Sequence, residues 1–256
     1  MILCYKKNYR KIILCTNCLI SKNKEINKRK WEDVIEVVNL LVGGIKNMIC
    51  FDKESINKLD HLYRINLINS CTGFKSANLL GTIDIKGNKN LAIFSSITHL
   101  GSDPCLICFI VRPKSEFRNT YDNIIEMGFF TVNHVNKNDV GDAHHTSAKY
   151  PKNVSEFDKT NLEEEFIGDF IAPYVKSSKI KLGCKYVNEY NIKENGTILV
   201  IASIEELYID ENILEDDGWL KLENAGTVAI NGLDGYVETQ LLNRFDYARP
   251  KKEEGG

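Results

Sequence analysis

The chain has 256 residues, of which 43% are hydrophobic and 27% are charged. This length and composition are typical of a soluble protein of one large or two small domains with a sizeable core. The formal net charge is −2, so there is no overall basic field to attract nucleic acid, and we expect no nucleic-acid partner. No apolar run approaches the ~20 residues that a membrane-spanning helix needs, so we expect no membrane association.

The first 47 residues differ from the rest of the chain. They hold 10 Lys/Arg and 4 Asp/Glu, whereas the remainder holds 23 and 31 and has a charge of −8. We interpret residues 1–47 as an N-terminal extension ahead of a start at Met48. The alternative is a genuine helix at 31–45, where apolar residues have helical spacing, that packs on the domain. A signal peptide is disfavoured because Lys22 and Lys24 occupy the region where small residues should allow cleavage.

Eight cysteines are present, and most lie in apolar runs. We expect reduced, buried thiols in a cytoplasmic protein. The pairs Cys15–Cys18 and Cys105–Cys108 could suggest zinc, but residues three apart on a strand face opposite sides. The stretch 142–145 (DAHH) is a weak candidate because adjacent histidines point in different directions. We therefore expect no metal site.

From residue 65 onward the patterns predict mainly strands. A hairpin-like turn is expected at 86–88, and a polar, glycine-containing connection at 97–103. The continuous apolar pattern of the third strand predicts that it is buried on both faces. The predicted strands are 78–85, 90–96, 105–111, 129–135 and 197–209.

Two short helices complete this pattern. The first is predicted at 120–127, with Thr120 as its N-cap and Gly128 at its end. The second is predicted at 138–149, and the polar tail 251–256 is expected to fray. Many strands joined by brief turns favour a mainly β fold, a closed or nearly closed antiparallel barrel with a few short helices.

Familiar catalytic motifs are missing from the sequence. We find no GxxxxGK[ST] phosphate loop, no GxGxxG after a strand, no HExxH and no GxSxG. A nicotinamide cofactor held by a Rossmann unit is therefore disfavoured.

Polar residues gather instead at strand ends and loops within residues 76–128. Such a set suits a flavin mononucleotide, because hydroxyl and amide groups can bind the ribityl chain and cations can bind the phosphate. Arg112 follows a strand, while Arg118 precedes the helix that Thr120 should cap, so these residues could cradle a phosphate. The alternative is that they are strand-end residues facing water. The set is Asn78, Asn90, Ser95, Ser96, Thr98, His99, Ser102, Arg112, Arg118 and Thr120.

The order of several segments resembles the flavin reductase-like family, whose domain is an FMN-binding split barrel. Residues 75–82 (KSANLLGT) and 90–96 (NLAIFSS) resemble its first two strands, and 98–104 (THLGSDP) its flavin-facing loop. Residues 118–124 (RNTYDNI) resemble its helix start, and 129–134 (FFTVNH) the strand after it. Weaker similarity continues at 145–151, 155–158, Tyr236 and 249–250, so the resemblance covers about 48–250.

This resemblance implies a Greek-key split barrel, a homodimer and FMN held near the subunit interface. His99 could tune the flavin ring or donate a proton, although a histidine at a strand end more often bonds a neighbouring backbone group. Arg112 is a candidate by its charge more than by the motif. By matching position, the implied flavin ligands are Asn78, Ser95, Ser96, Thr98, Arg118 and Thr120, with Ser147 and Lys149 as weaker matches.

The implied function is an FMN-dependent oxidoreductase that passes hydride or electrons from NAD(P)H or a protein donor to flavin or another acceptor. Family members that supply monooxygenases often carry Gly-Asp-His late in the chain, whereas this chain has 232–236 (GLDGY) without the histidine. The resemblance is therefore closer to the flavoredoxin-type branch. A non-catalytic FMN-binding electron-transfer protein with a redox partner protein is one alternative, and a barrel that has lost flavin is another.

Overall fold

The computed structural model describes residues 48–113 and 118–250. The chain divides into two compact units between Ile65 and Asn66. In the first unit, helix α1 (Lys53–Asn57) is capped by Asp52, whose carboxylate accepts a 2.7 Å hydrogen bond from the Ser55 amide. Helix α2 (His61–Cys71) runs across the division. The predictions for 1–47 and 251–256 lie outside the described residues.

The second unit is built mainly from antiparallel strands. Seven of them form one sheet in the order β3-β2-β6-β9-β10-β5-β4, while β1-β11-β12 and β7-β8 form two smaller sheets. The strands are β1 (Lys75–Ser76), β2 (Asn78–Ile83), β3 (Lys89–Phe94), β4 (Thr98–Ser102), β5 (Cys105–Val111), β6 (Phe129–His134), β7 (Glu164–Glu165), β8 (Tyr174–Val175), β9 (Ile180–Ile192), β10 (Thr197–Ile209), β11 (Val228–Asn231) and β12 (Gly235–Glu238).

The seven-stranded sheet curls until its two edges meet. Its edge strands β3 and β4 are joined by only three residues, 95–97, so the last residues of β3 lie beside β5. The Ser96 hydroxyl accepts a hydrogen bond from the Ile110 amide at 3.1 Å and donates one to the Ile110 carbonyl at 3.2 Å. The Phe94 and Phe109 rings meet edge to face, with centroids 5.6 Å apart. These contacts close the sheet into a barrel.

The connection after β5 gives the barrel its Greek-key topology. The chain leaves β5, forms helix α3 (Asn119–Met127) and returns as β6 beside β2 instead of beside β5. Ile124 on α3 is fully buried and joins the barrel interior. That interior also contains Leu80, Ile107, Phe109, Val111, Phe130, Val132, Ile180, Leu182, Val200 and Ala202.

A second apolar core covers the opposite face of β2. Because side chains alternate along a strand, Leu80 points into the barrel while Leu79 points away from it. Helix α4 (Val140–His145) supplies Ala143 to this second core. Its other buried members are Ala77, Leu91, Val135, Phe157, Leu162, Val175, Val228 and Ile230.

Gly81 on β2 permits a close approach of the segment before β8. A Cβ atom at Gly81 would stand 2.1 Å from the Pro173 carbonyl oxygen and 2.6 Å from the Thr131 hydroxyl. That hydroxyl donates a 2.6 Å hydrogen bond to the same carbonyl. Only glycine fits here, since any side chain would push the segment off the barrel.

The predicted fold class is confirmed, and several element bounds need correction. The strand 197–209 is confirmed residue for residue. The connection predicted at 97–103 is wrong, because Thr98–Ser102 pairs with β5 as the strand β4. The helix predicted at 138–149 is shorter and follows a 3-10 turn at Lys137–Asp139. Within the described residues, no helix is long and apolar enough to cross a membrane.

Candidate functional site

Four sequence-predicted ligands lie around the connection between β3 and β4. Asn78 begins β2 and is the cross-strand partner of Phe94, the last residue of β3. Ser95, Ser96 and Thr98 follow directly. The Asn78 amide donates a 2.9 Å hydrogen bond to the Ser76 hydroxyl, which donates to the Ile97 carbonyl at 3.1 Å. The fold thus brings Asn78, Ser95, Ser96 and Thr98 together.

Their exposure differs within this group. Asn78 is buried, and the Ser96 hydroxyl is committed to the Ile110 backbone. Ser95 is half-buried, while Thr98 and His99 are exposed on the edge strand β4. Thr98 and His99 therefore offer free faces to a ligand, whereas Ser96 already has a structural role.

His134 is a polar residue of this region that sequence reasoning did not select as a ligand. It is the second cross-strand partner of Asn78 and lies on the strand face that carries Phe130 and Val132. Its Nδ1 atom is buried and has no hydrogen-bond partner in the described part of the chain. Burial lowers its pKa to about 4, so the ring is neutral at pH 7.

The start of helix α3 differs from the prediction at Thr120. The N-cap is Arg118, whose side chain makes no capping hydrogen bond, and the helix begins at Asn119. Thr120 lies inside the first turn, where its hydroxyl accepts a 2.9 Å hydrogen bond from the Asn90 amide. Its burial against β3 explains the error, because a threonine that faces a strand cannot turn back to cap its own helix. The prediction that Thr120 is the N-cap is therefore wrong.

A buried polar pair further along α3 fixes the helix on the sheet. The Asn123 amide donates a 3.1 Å hydrogen bond to the Thr82 hydroxyl. Thr82 and Asn90 are themselves cross-strand partners on β2 and β3. Both helix contacts thus reach one cross-strand pair of the β2–β3 hairpin, and together they set the position of the residues at the start of α3.

Arg118 carries buried donors with no partner. Its Nε and Nη2 atoms are buried and form no hydrogen bond within residues 48–113 and 118–250. The guanidinium carbon lies 4.1 Å from the centre of the Tyr121 ring, which is cation–π stacking distance. Buried donors without partners are costly, so these N–H groups are suited to receive an anion.

Tyr121 separates Arg118 from a carboxylate. Its hydroxyl contacts the two Glu189 carboxylate oxygens at 2.8 and 3.0 Å. Burial, and then the hydrogen bond and charge of Glu189, raise the pKa of Tyr121 to about 12, although the Arg118 charge opposes this. Tyr121 is therefore a neutral hydrogen-bond donor at physiological pH.

Arg112 lies at the same end of the barrel as Arg118. It directly follows Val111, the last residue of β5. Val111 pairs with Ile198 on β10, and Ile198 pairs on its other side with Asn191 on β9. Glu189, which holds Tyr121, is two residues from Asn191 on the same strand. Arg112 is exposed and could reach an anion from the solvent side, as its charge suggested.

Ser147 and Lys149 stand apart from the two groups described above. Both are exposed and follow α4, which packs on the second core. No hydrogen bond joins either side chain to another candidate ligand in the described part of the chain. Their proposed contact with flavin rests on the resemblance alone.

The rival metal sites gain no support from the geometry. His144 Nδ1 contacts the Tyr236 hydroxyl at 3.3 Å, while His145 Nε2 contacts the Tyr150 hydroxyl at 2.7 Å. Asp142 accepts instead from Asn161. Across 48–113 and 118–250 there is no group of three or more His, Cys, Asp or Glu residues that could hold a metal. Cys15 and Cys18 lie outside the described residues.

The cysteines only partly match the expectation of reduced, buried thiols. Cys108 and Cys184 are free and buried, and burial raises the pKa of both thiols. Cys71 and Cys105 are free but exposed, because one ends α2 and the other begins β5 at the surface. The expectation of burial is therefore wrong for Cys71 and Cys105, and the expectation of a reduced thiol is wrong for Cys50, which is disulfide-bonded.

A closed antiparallel barrel with a polar strand connection and a stacked arginine at a helix start defines a split-barrel protein. The flavin reductase like domain model matches residues 73–248. The chain therefore belongs to the flavin reductase-like family, as the sequence motifs indicated.

Solved structures show the same fold. A putative flavin reductase with a split barrel domain from Shewanella frigidimarina NCIMB 400 has a TM-score of 0.76 and 46% identity, covering 78% of this chain and all of its own. Flavoredoxin of Desulfovibrio vulgaris (Miyazaki F) has a TM-score of 0.59 and 20% identity, covering 68% of this chain and 92% of its own. At that identity the second likeness shows the fold alone.

A sequence relative comes from Aquifex aeolicus (strain VF5). This uncharacterized protein is 27% identical over 139 residues, which span 52% of this chain and 71% of the relative.

Proposed function

We propose that the chain is an FMN-binding oxidoreductase, which takes hydride or electrons from NAD(P)H or a protein donor and passes them to flavin or another acceptor. The observation that carries this proposal is Arg118, whose buried Nε and Nη2 atoms have no hydrogen-bond partner among the described residues. Membership of the flavin reductase-like family makes a flavin the expected ligand.

The chemistry of Arg118 suits the phosphate of FMN. A guanidinium presents N–H groups in a planar fork, which matches two oxygens of a phosphate. Stacking on Tyr121 covers one face of the guanidinium and leaves its edge available for those oxygens. Arg112 would add a second positive charge from the solvent side. The preference for FMN over FAD rests on the family resemblance.

The other candidate residues fit the remaining parts of the ligand. When bound, the flavin ring would supply the hydride or electron chemistry, which no side chain needs to perform. Ser95 and Thr98 offer hydroxyl groups at the β3–β4 connection, and Asn78 supports that connection through Ser76. His99 is exposed beside Thr98, where it could donate a proton to an acceptor.

We further propose that the protein is a homodimer in the cytoplasm and that it meets a redox partner protein. The homodimer follows from the family resemblance, which implies that FMN lies near the subunit interface.

A second candidate function is electron transfer with FMN but without NAD(P)H turnover. The favouring observation is the turn between β11 and β12, where Gly232 to Tyr236 lacks the histidine of the monooxygenase-supplying members.

The phosphate role of Arg118 is tested by comparing two ligands. FMN and riboflavin share the ring and ribityl chain and differ only in the phosphate. Titration of Arg118→Gln should show FMN affinity about tenfold or more below wild type and riboflavin affinity nearly unchanged. Arg244→Gln is the matched control, because Arg244 is already paired with Asp217. An equal loss of both ligands would contradict a phosphate role.

Stopped-flow mixing distinguishes the two candidate functions. FMN-loaded protein is mixed anaerobically with NADH or with NADPH, and loss of flavin absorbance is followed. Reduction within seconds together with steady turnover supports the oxidoreductase. Slow reduction by both nucleotides, with rapid electron exchange from a reduced ferredoxin or flavodoxin, supports the carrier and rejects NAD(P)H as donor.

A further inference from the structure

We propose that Tyr121 is a positioning residue that keeps Arg118 out of an ion pair with Glu189 and so leaves the guanidinium free for a phosphate. The inference rests on the proposed function and deepens it. The preference for a phosphorylated flavin then depends on three side chains: Arg118 at the N-cap of α3, Tyr121 on α3 and Glu189 on β9.

Tyr121 contacts both of the charged side chains. The Arg118 guanidinium lies 4.1 Å from the Tyr121 ring centre. The Tyr121 hydroxyl lies 2.8 Å from the nearer Glu189 oxygen. Tyr121 therefore touches the cation with its ring face and the carboxylate with its hydroxyl.

No ion pair joins Arg118 to Glu189 in the part of the chain that the structure describes. Both side chains contact Tyr121, and an arginine that reaches a glutamate can form a bidentate pair, since charge-assisted hydrogen bonds are the strongest that side chains make. Tyr121 prevents this ion pair, because its ring stacks on Arg118 while its hydroxyl holds Glu189.

The missing ion pair leaves Arg118 available for a phosphate. Two Arg118 donor atoms are buried and have no hydrogen-bond partner within 48–113 and 118–250, which is unfavourable without a ligand. An arginine already paired with a carboxylate would have to give up that pair before it could bind phosphate. Tyr121 thus preorganises the site, and preorganisation raises affinity because less is lost on binding.

Glu189 has a complementary part in this arrangement. Its carboxylate fixes the Tyr121 ring through the hydroxyl and also lies near Tyr186, whose pKa is raised by burial and by Glu189. If the ring were removed, the same carboxylate would become the competitor for Arg118. Removing the Glu189 charge should therefore restore FMN affinity in a variant that lacks the Tyr121 ring.

The test compares FMN and riboflavin affinities by fluorescence titration of the full-length protein. Tyr121→Leu should bind FMN about tenfold more weakly than wild type, while riboflavin affinity stays within about twofold. Adding Glu189→Gln removes the competing charge, and the double variant should recover FMN affinity to within about threefold of wild type. Tyr190→Leu, an exposed tyrosine on the same strand, is the control and should bind FMN as wild type does.

Tyr121→Phe keeps the ring and loses only the bond to Glu189, so it serves if Tyr121→Leu does not fold. It should lose about threefold in FMN affinity with riboflavin unchanged. Equal losses for both ligands, full FMN affinity in Tyr121→Phe and Tyr121→Leu, or no recovery in the double variant would overturn the inference. Failure of wild type to bind either ligand would instead overturn the proposed function.

Discussion

Ser96 offers a direct test of how the barrel closes. Its hydroxyl makes two hydrogen bonds to the Ile110 backbone, at 3.1 and 3.2 Å. Ser96→Ala removes both and leaves an amide and a carbonyl to find water at a partly buried position. Each such bond contributes about 1 kcal/mol, so we expect the free energy of unfolding to fall by about 2 kcal/mol.

The assay is urea and thermal unfolding followed by circular dichroism. For a domain of this size, that loss corresponds to a fall in Tm of about 4–8 °C. Ser95→Ala is the control, since Ser95 makes no side-chain hydrogen bond in the described part of the chain, and its stability should change by less than about 0.5 kcal/mol. A Ser96→Ala protein with wild-type stability and poor flavin affinity would refute the closure role and favour Ser96 as a flavin ligand.

Two further predictions concern stability. Gly81→Ala places a Cβ 2.1 Å from the Pro173 carbonyl oxygen, so we expect a loss of about 2 kcal/mol or more in chemical denaturation. Gly141→Ala, where a Cβ meets nothing within 4 Å, should be neutral or stabilising, and equal effects would contradict the packing argument. His134 has a folded pKa of about 4 against an unfolded value near 6.5, so its stabilisation is complete above pH 6.5 and is lost as the pH falls toward 4. The free energy of unfolding should therefore fall by about 2 kcal/mol between pH 7 and 5, and His134→Gln should reduce this pH dependence. An unchanged pH dependence would contradict the lowered pKa of His134 in the folded protein.

The strongest sequence patterns predicted the barrel well. The β10 strand at 197–209 was predicted to the residue because most of its residues are apolar or β-branched, although Glu205 and Glu206 interrupt them. The strand 105–111 was predicted to be buried on both faces, and its central residues Ile107, Cys108 and Phe109 are buried. Such signals are local, so one sequence is enough to detect them.

The missed elements depend on distant partners. The stretch Thr98–Ser102 reads as a loop because it is polar and contains glycine, yet β5 supplies the pairing that makes it a strand. The long strand β9 carries charged and polar residues after Cys184, where it leaves the core and projects as a hairpin with β10. The stretch 98–102 has no local apolar signal, whereas the alternation of Ile180, Leu182 and Cys184 at the start of β9 is a strand pattern that the prediction missed.

The candidate site divides in the same way. Motif matching selected Asn78, Ser95, Thr98 and Arg118, which the fold places at the strand connection and the helix start. The helix pattern gave Thr120 the wrong role as N-cap, since its contact with Asn90 is a tertiary one. Tyr121 and Glu189 were not selected, because they are 68 residues apart in sequence and meet only in the fold.

The visible spectrum of freshly purified full-length protein shows whether the chain binds FMN. We expect the absorption spectrum of an oxidised flavin, with a released cofactor whose mass is that of FMN at about one per chain. Apoprotein prepared by removing the cofactor should take FMN up again and regain the bands. A colourless protein that binds no added FMN would contradict the account and leave only the barrel fold.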